Sequence, residues 1–518
     1  MSETYDVLIK GGSVYDGISE IPHTADVGII RDKIARIGLL TEPAAKTIDA
    51  RGLAVMPGFI DLHTHCDSPF MLSRRLRERA PNLPSVKGNW NYLLQGVTTV
   101  VSGNCGEGFA DLNQWFDYLE KLKFGTNVLH LAPHGQIRTT LFGDNQPLVP
   151  TVAQLEALKA KTAEIMEMGA VGLSTGLVYA PGFLAEKEEI IEMTKITGRY
   201  GGLYASHIRD ESGRFLEDHD RGLLKALREA IEIGRGAEVP VHISHLKISA
   251  PYEGLKADQV LDIFEGARVK GWDVTADQYP YPAGSSALTL LAPTHFLKYG
   301  GVKEEFKTRD GRQEISRSAI SLFTWLSPDK IFISECQANR EFEGLTLAEI
   351  SERVSRNPED VFADLISAKR PPLAVFFSQD ESAMREMMPQ SYVFTASDGW
   401  TCLKDAMKPH PRCYGTFIRK IKNYSLDEKV VSLGAAIRSM TSLPAEKFKI
   451  RKRGRISEGY YADLTLLNLD QLSDEASYLN PHQYPKGVEY VMVNGVLGVE
   501  QGKPTGREAG RPIRRGES

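Results

Sequence analysis

Cysteine is scarce in this chain: Cys66, Cys105, Cys336, Cys402 and Cys413 are the only five in 518 residues. An odd number so thinly spread argues against a disulfide framework and fits a reducing, cytoplasmic setting. Long apolar runs are missing too. No stretch approaches the ~18 residues of a membrane span. The opening "MSETYDVLIKGG" lacks the charged n-region and apolar h-region of a signal peptide. There is no long basic run and the net charge is -5, which argues against nucleic acid as a partner. Short internal repeats and low-complexity tracts are absent. What remains is an ordinary soluble composition, in a chain long enough for a large core plus a second module.

The first segment reads as short strands between turns: "YDVLIKGGSVYDG", "TADVGIIRDKIARIG" and "KTIDARGLAVMPG". A similar pattern returns in "ADLTLLNLD" and "VEYVMVNGVLG". The two ends are therefore expected to pair into one small β-sandwich, residues 1–56 plus 441–518. Between them, apolar strands alternate with amphipathic helices. The strand candidates are "PGFIDLHTH", "VTTVVSGNC", "NVLHLAPHG", "AVGLSTGLVY", "GGLYASHIR", "VPVHISHLK", "WDVTADQYP" and "YVFTASD". In "PTVAQLEALKAKTAEIMEMG", Val152, Leu155, Leu158, Ile165 and Met166 predict one apolar helical stripe. This alternation predicts an α/β fold, a (β/α)8 TIM-like barrel over residues 57–440. The gap before the last strand is too long for one crossover, so an insertion at about 283–390 is expected to cover the site as a lid.

In such a barrel, catalytic groups gather at the C-terminal ends of the strands. Those ends carry His63 and His65, Cys105, His207, His245 and Asp398. Any one of them alone is ordinary: a hydrogen-bonded histidine, an inert thiol, an aspartate before a turn glycine. Four histidines, a cysteine and an aspartate converging on one cavity are a donor set suited to zinc. Three ligands leave a coordination position for water, the mark of a catalytic site. His130, His134 and His242 fall outside this set. Lys247 lies two residues after His245, so both face the same way. Tyr279 ends the seventh strand, and Arg412 follows the eighth.

These motifs resemble the amidohydrolase superfamily, whose signature is the HxH seen in "DLHTH". Within it the chain resembles the N-acyl-D-amino-acid deacylases, or D-aminoacylases. The resemblance rests on "GVTTVVSGNCG", "STGLVYAPG", "YASHIRDE", "HISHLK", "DQYPYPAGS", "ASDG" and "HPRCYGTF", in family order along nearly the whole chain. Many dinuclear amidohydrolases bridge their metals with a carboxylated lysine on the fourth strand, and "STGLVYAPG" has none. The resemblance implies that Cys105 takes its place. One zinc would be held tightly by Cys105, His207 and His245, with His63 and His65 forming a second, weaker position and Asp398 nearby. It also implies hydrolysis of N-acyl-D-amino acids, with Asp398 as the proton carrier and Lys247, Tyr279 and Arg412 holding the α-carboxylate. Tyr179 and Ser285, with Ser286, are further substrate-binding candidates.

The stretch "AGSSALTLLAPTHF" carries no Lys or Arg, so a neutral or hydrophobic side chain is the expected preference. One departure from the family pattern is the long basic segment from Cys66 to Gly96, with "SRRLRERAPNLPSVKGNW", expected to reshape one wall of the mouth. The expected partner is a small-molecule N-acyl amino acid, with no nucleic acid or membrane; homo-oligomer formation stays open. The alternatives are a cyclic amidohydrolase of the hydantoinase or dihydroorotase type, which normally wants the missing lysine, and an inactive amidohydrolase-like scaffold.

Overall fold

The computed structural model describes residues 4–211, 222–250, 254–293, 307–403 and 408–517. The first strands are β1 (Tyr5–Val14), β2 (His23–Ile30), β3 (Lys33–Gly38), β4 (Ala44–Asp49) and β5 (Ala54–Pro57). The central region supplies β6 (Phe59–Asp61), β7 (Val97–Ser102), β8 (Asn127–His130), β9 (Ala132–Pro133), β10 (Gly172–Gly176), β11 (Leu203–His207), β12 (Val241–Ile243) and β13 (Val274–Gln278). Then come β14 (Gly284–Ala287), β15 (Ile331–Glu335), β16 (Leu373–Phe376) and β17 (Val393–Thr395). The last are β18 (Leu464–Leu467), β19 (Val488–Val493), β20 (Val496–Glu500) and β21 (Lys503–Pro504).

The two ends of the chain do pair. One nine-stranded sheet runs β21-β20-β19-β18-β5-β1-β2-β3, with β4 alongside β1. The join is antiparallel, from Leu464 opposite Pro57 to Leu467 opposite Ala54. Val27, Ile29 and Ile34 pack there with Leu464, Leu466 and Met492.

The middle is a mixed α/β region, and each of the eight expected strands is present. Two parallel sheets run β6-β7-β8 and β9-β10-β11-β12-β13-β17. β10, β11 and β13 are buried along their whole length, as parallel strands covered on both faces should be. Ile60, Val101, Leu129, Leu203, Ala205 and Phe394 pack together from β6, β7, β8, β11 and β17. Burying each of the larger ones is worth about 1.5–3 kcal/mol, and together they make a rigid core for the strands that carry the site.

The helix expected after "PTVAQ" spans Val152–Glu167 and starts at a capping box between Thr151 and Gln154. Its buried stripe is Leu158, Thr162, Ile165 and Met166. Val152 does not belong to it: at the first turn it points outward and is 82% exposed. The expected insertion carries its own antiparallel sheet, β14-β16-β15. It also has a separate core that includes Leu288, Ile315, Ile333 and Phe362. Its residues 294–306 lie outside the described residues.

Candidate active site

The chain beyond β6 and the chain beyond β17 meet in a parallel bridge between Thr64 and Gly399. Backbone hydrogen bonds from Asp398 N to His63 O (2.9 Å) and from His65 N to Gly399 O (2.6 Å) lock the two segments. Asp61 adds a brace, accepting from the backbone N–H groups of His63 and Ser397. Its full burial pushes its carboxyl up to about 8. His63 and His65 thereby face Asp398, whose Oδ1 lies 3.6 and 3.2 Å from their Nε2 atoms.

Cys105 arrives from the turn after β7. Its Sγ lies 3.3 Å from His63 Nε2, 3.4 Å from His207 Nδ1 and 3.9 Å from His245 Nε2. The turn packs flat on the end of β10. A Cβ on Gly176 would stand 2.1 Å from the Cys105 carbonyl oxygen, so no side chain fits at position 176. The absent lysine thus has a steric counterpart: the cysteine turn fills the space. Cys105, His245 and Asp398 all have positive φ, at 54°, 36° and 50°. Non-glycine residues rarely adopt this conformation, and it gathers at functional sites where surrounding structure enforces it.

The ring nitrogens of the two remaining histidines sort into inner and outer sets. The inner ones, His207 Nδ1 and His245 Nε2, are 2.9 Å apart and both face Cys105. The outer ones face Glu211, at 3.4 Å for His207 Nε2 and 2.9 Å for His245 Nδ1. A carboxylate on the outer nitrogens keeps their protons outside and turns two lone pairs inward beside a sulfur, which is the arrangement of metal-ligating histidines. The groups Cys105–His207–His245, His63–His65–Cys105 and His63–His245–Asp398 each bring their ligand atoms within 4.8 Å of one another. The surrounding charge agrees. Burial pushes the Cys105 thiol well up, and Asp398, Glu107, Glu211 and Asp277 push it further, so a thiolate here calls for a cation. The residues present therefore fit a zinc ion.

Sequence reasoning alone misses Glu211 and Asp277. Glu211 stood in "YASHIRDE", four residues after His207, where an acidic residue looks like a solvated turn. Asp277 stood at the end of "WDVTADQ". Its Oδ2 lies 3.3 Å from His63 Nδ1 and 2.9 Å from His242 Nε2, and its Oδ1 accepts from His245 N–H. It orients His63 as Glu211 orients His207 and His245. Glu211→Gln is expected to weaken zinc retention about 10- to 100-fold, read by competition with a chelator; unchanged retention would remove this role.

Of the expected site residues, all but the fully buried His63 line one cavity of about 490 Å³. Arg412 is not a surface residue. It is 2% exposed, with Nη2 2.9 Å from Asp398 Oδ2 and the guanidinium 4.7 Å from the Tyr279 ring centre. Against the cost of burial, Arg412 holds the Asp398 carboxyl well below the usual carboxylate range. Lys247 Nζ donates to Glu211 Oε1 at 2.7 Å, so its ammonium is already paired. Tyr279 Oη lies 2.7 Å from the Gln379 side-chain amide. The Tyr179 ring stands edge-on to His207, 4.8 Å between centres. Ser285 and Ser286 line the same cavity. The basic segment contributes Ser68, Pro69 and Leu72 to the wall, as expected of it.

His130 and His134, outside the expected set, have structural partners. His130 bonds Ser102 Oγ and the Phe109 carbonyl, and His134 bonds Glu189. The remaining cysteines are buried and free. Among the described residues no helix is long and apolar enough to cross a membrane.

A model of the amidohydrolase family matches residues 46–176 and 360–498. The D-aminoacylase of Alcaligenes xylosoxydans xylosoxydans is 32% identical over 99% of this chain and 98% of its own length. The N-acyl-D-glutamate deacylase of the same organism is 32% identical over 100% of this chain and 98% of its own. Among solved structures, N-acyl-D-glutamate deacylase from Bordetella bronchiseptica, complexed with zinc and a phosphonate inhibitor that mimics the tetrahedral intermediate, aligns with a TM-score of 0.82 at 29% identity. That alignment covers 99% of this chain and 100% of the other.

Proposed function

The chain belongs to the amidohydrolase family, and from that premise we propose that it hydrolyses the amide bond of N-acyl-D-amino acids, releasing a carboxylate and a free D-amino acid. The observation that carries this reading is the convergence of Cys105, His207 and His245 on one point beside Asp398. The D preference rests on the relatives. Eight parallel strands, with β8 and β9 as two halves of one, tied by the Thr64–Gly399 bridge, support a closed barrel for residues 57–440. The sheet shared by the chain ends supports a small β-sandwich domain from residues 1–56 and 441–518.

Cys105, His207 and His245 hold one zinc tightly, and His63 with His65 offers a second, weaker position. Zinc held there supplies Lewis acidity and brings the pKa of a water from about 15.7 towards about 7. Asp398, kept ionised by Arg412, accepts the proton of the attacking water. The water oxygen joins the acyl carbon, the C–N bond breaks, and Asp398 delivers the proton to the departing nitrogen. An amine leaves poorly until protonated, so one residue does both jobs. Lys247, Tyr279 and Arg412 orient the α-carboxylate, and Tyr179 and Ser285 border the rest of the substrate. Lys247 and Arg412 are each already paired with a carboxylate at 2.7 and 2.9 Å, which favours a neutral or hydrophobic side chain over an acidic one.

The hydantoinase type of chemistry is disfavoured by β10, Gly172–Gly176, which carries no lysine to bridge two metals. Assay of N-acetyl and N-succinyl D- and L-amino acids tests the proposal. Neutral D-substrates are expected to exceed their L-isomers by about 10²-fold or more in kcat/KM. Preference for L-isomers, or hydrolysis of hydantoin alone, would overturn it.

A further inference from the structure

The cavity carries more apolar wall than a small acyl group uses. Beside the metal-ligating and charged side chains and a set of serines, its wall includes Leu72, Leu290, Trp325, Leu326, Leu373 and Phe376. The last five all come from the insertion. At about 490 Å³ the cavity falls within the roughly 300–1,000 Å³ that encloses drug-sized ligands. Leu72 belongs to the basic segment that plays no part in the chemistry, yet it borders this cavity and is 81% exposed. Among the described lining residues, Lys247 and Arg412 are the Lys and Arg side chains, and both are paired, so the wall asks for no second charge on the substrate.

We propose that the substrates of this chain carry a medium- to long-chain fatty acyl group on the nitrogen, laid along this wall. The inference rests on the deacylase reading and names its substrate class. The α-carbon is held close to the Lys247–Tyr279–Arg412 anchor, so its side chain stays near that anchor. The acyl chain starts on the other side of the scissile bond, where it is free to extend along the apolar wall that Leu72 borders. An acetyl group leaves the part-exposed Trp325 and Leu373 facing water; a run of methylenes covers them. Cleavage follows the same course: water supplies the oxygen, the C–N bond breaks, and a fatty acid leaves with the D-amino acid.

The test is kcat/KM for N-acetyl-, N-butanoyl-, N-octanoyl- and N-dodecanoyl-D-leucine at submicellar concentrations. A rise of about three- to four-fold per methylene is expected through the middle of the series. Trp325→Ala and, independently, Leu373→Ala are expected to lower the octanoyl-to-acetyl ratio by about ten-fold. A flat or falling series with active N-acetyl substrate overturns this inference and leaves the deacylase reading standing. Ratios unchanged in both variants also overturn it. No hydrolysis at any chain length overturns both.

Discussion

Asp398→Asn is expected to lower kcat by about 10²- to 10⁴-fold while zinc content stays at its wild-type value. The carboxylate touches three partners: His63, His65 and, at 2.9 Å, Arg412. An amide keeps the shape but cannot take a proton from water at neutral pH. Asparagine also tolerates the positive φ of 50° at this position better than most residues, so the fold should survive the change. Arg412 loses its charged neighbour and becomes a freer anion site, so KM for the carboxylate-bearing substrate is expected to fall or hold. Rate measurements with metal analysis on the same preparation check this. Full activity in the Asn variant would take Asp398 out of the chemistry.

The second large effect is at Cys105. Cys105→Ala is expected to lose zinc together with activity, and zinc retention should fall by more than the ~10- to 100-fold that an outer partner such as Glu211 costs. A thiol acting as nucleophile predicts the opposite pattern, with activity lost and metal kept. Cys105 sits at φ 54°, so Cys105→Gly relieves the backbone while removing the ligand. If both variants retain metal by mass spectrometry, the cysteine is not a ligand. If the Gly variant folds as well as the parent and still lacks zinc, a folding defect is excluded as the cause of the Ala result.

The residues of this site were largely legible in the sequence because they fall at strand ends. Parallel strands buried on both faces read as apolar runs, and a polar residue where such a run stops stands out. That is how His207, His245, Cys105 and Asp398 were visible. Glu211 and Asp277 were not, for a physical reason. Their work is to hold the far side of an imidazole, and that pairing exists only after β11, β12 and β13 lie side by side. Arg412 shows the same limit. After a proline-rich turn it resembles a surface residue, and only the packing of helix Arg412–Arg419 buries it against Asp398. Val152 failed in the other direction: its helical phase fits the apolar stripe, but the first turn projects past the neighbouring elements. Periodicity gives the phase of a helix and says nothing of where its cover ends.

The pairing of β5 with β18 has a consequence for how the chain is made. Strand β5 ends at Pro57, and its partner begins at Leu464. At roughly 5–20 residues per second, the N-terminal strands wait on the order of 20–80 s for their neighbour to leave the ribosome. During that time β5 presents an open apolar edge, of the kind that recruits other strands. Chains cut short before Leu464 would keep that edge permanently, and aggregation rather than slow catalysis is the expected fate of C-terminal truncation.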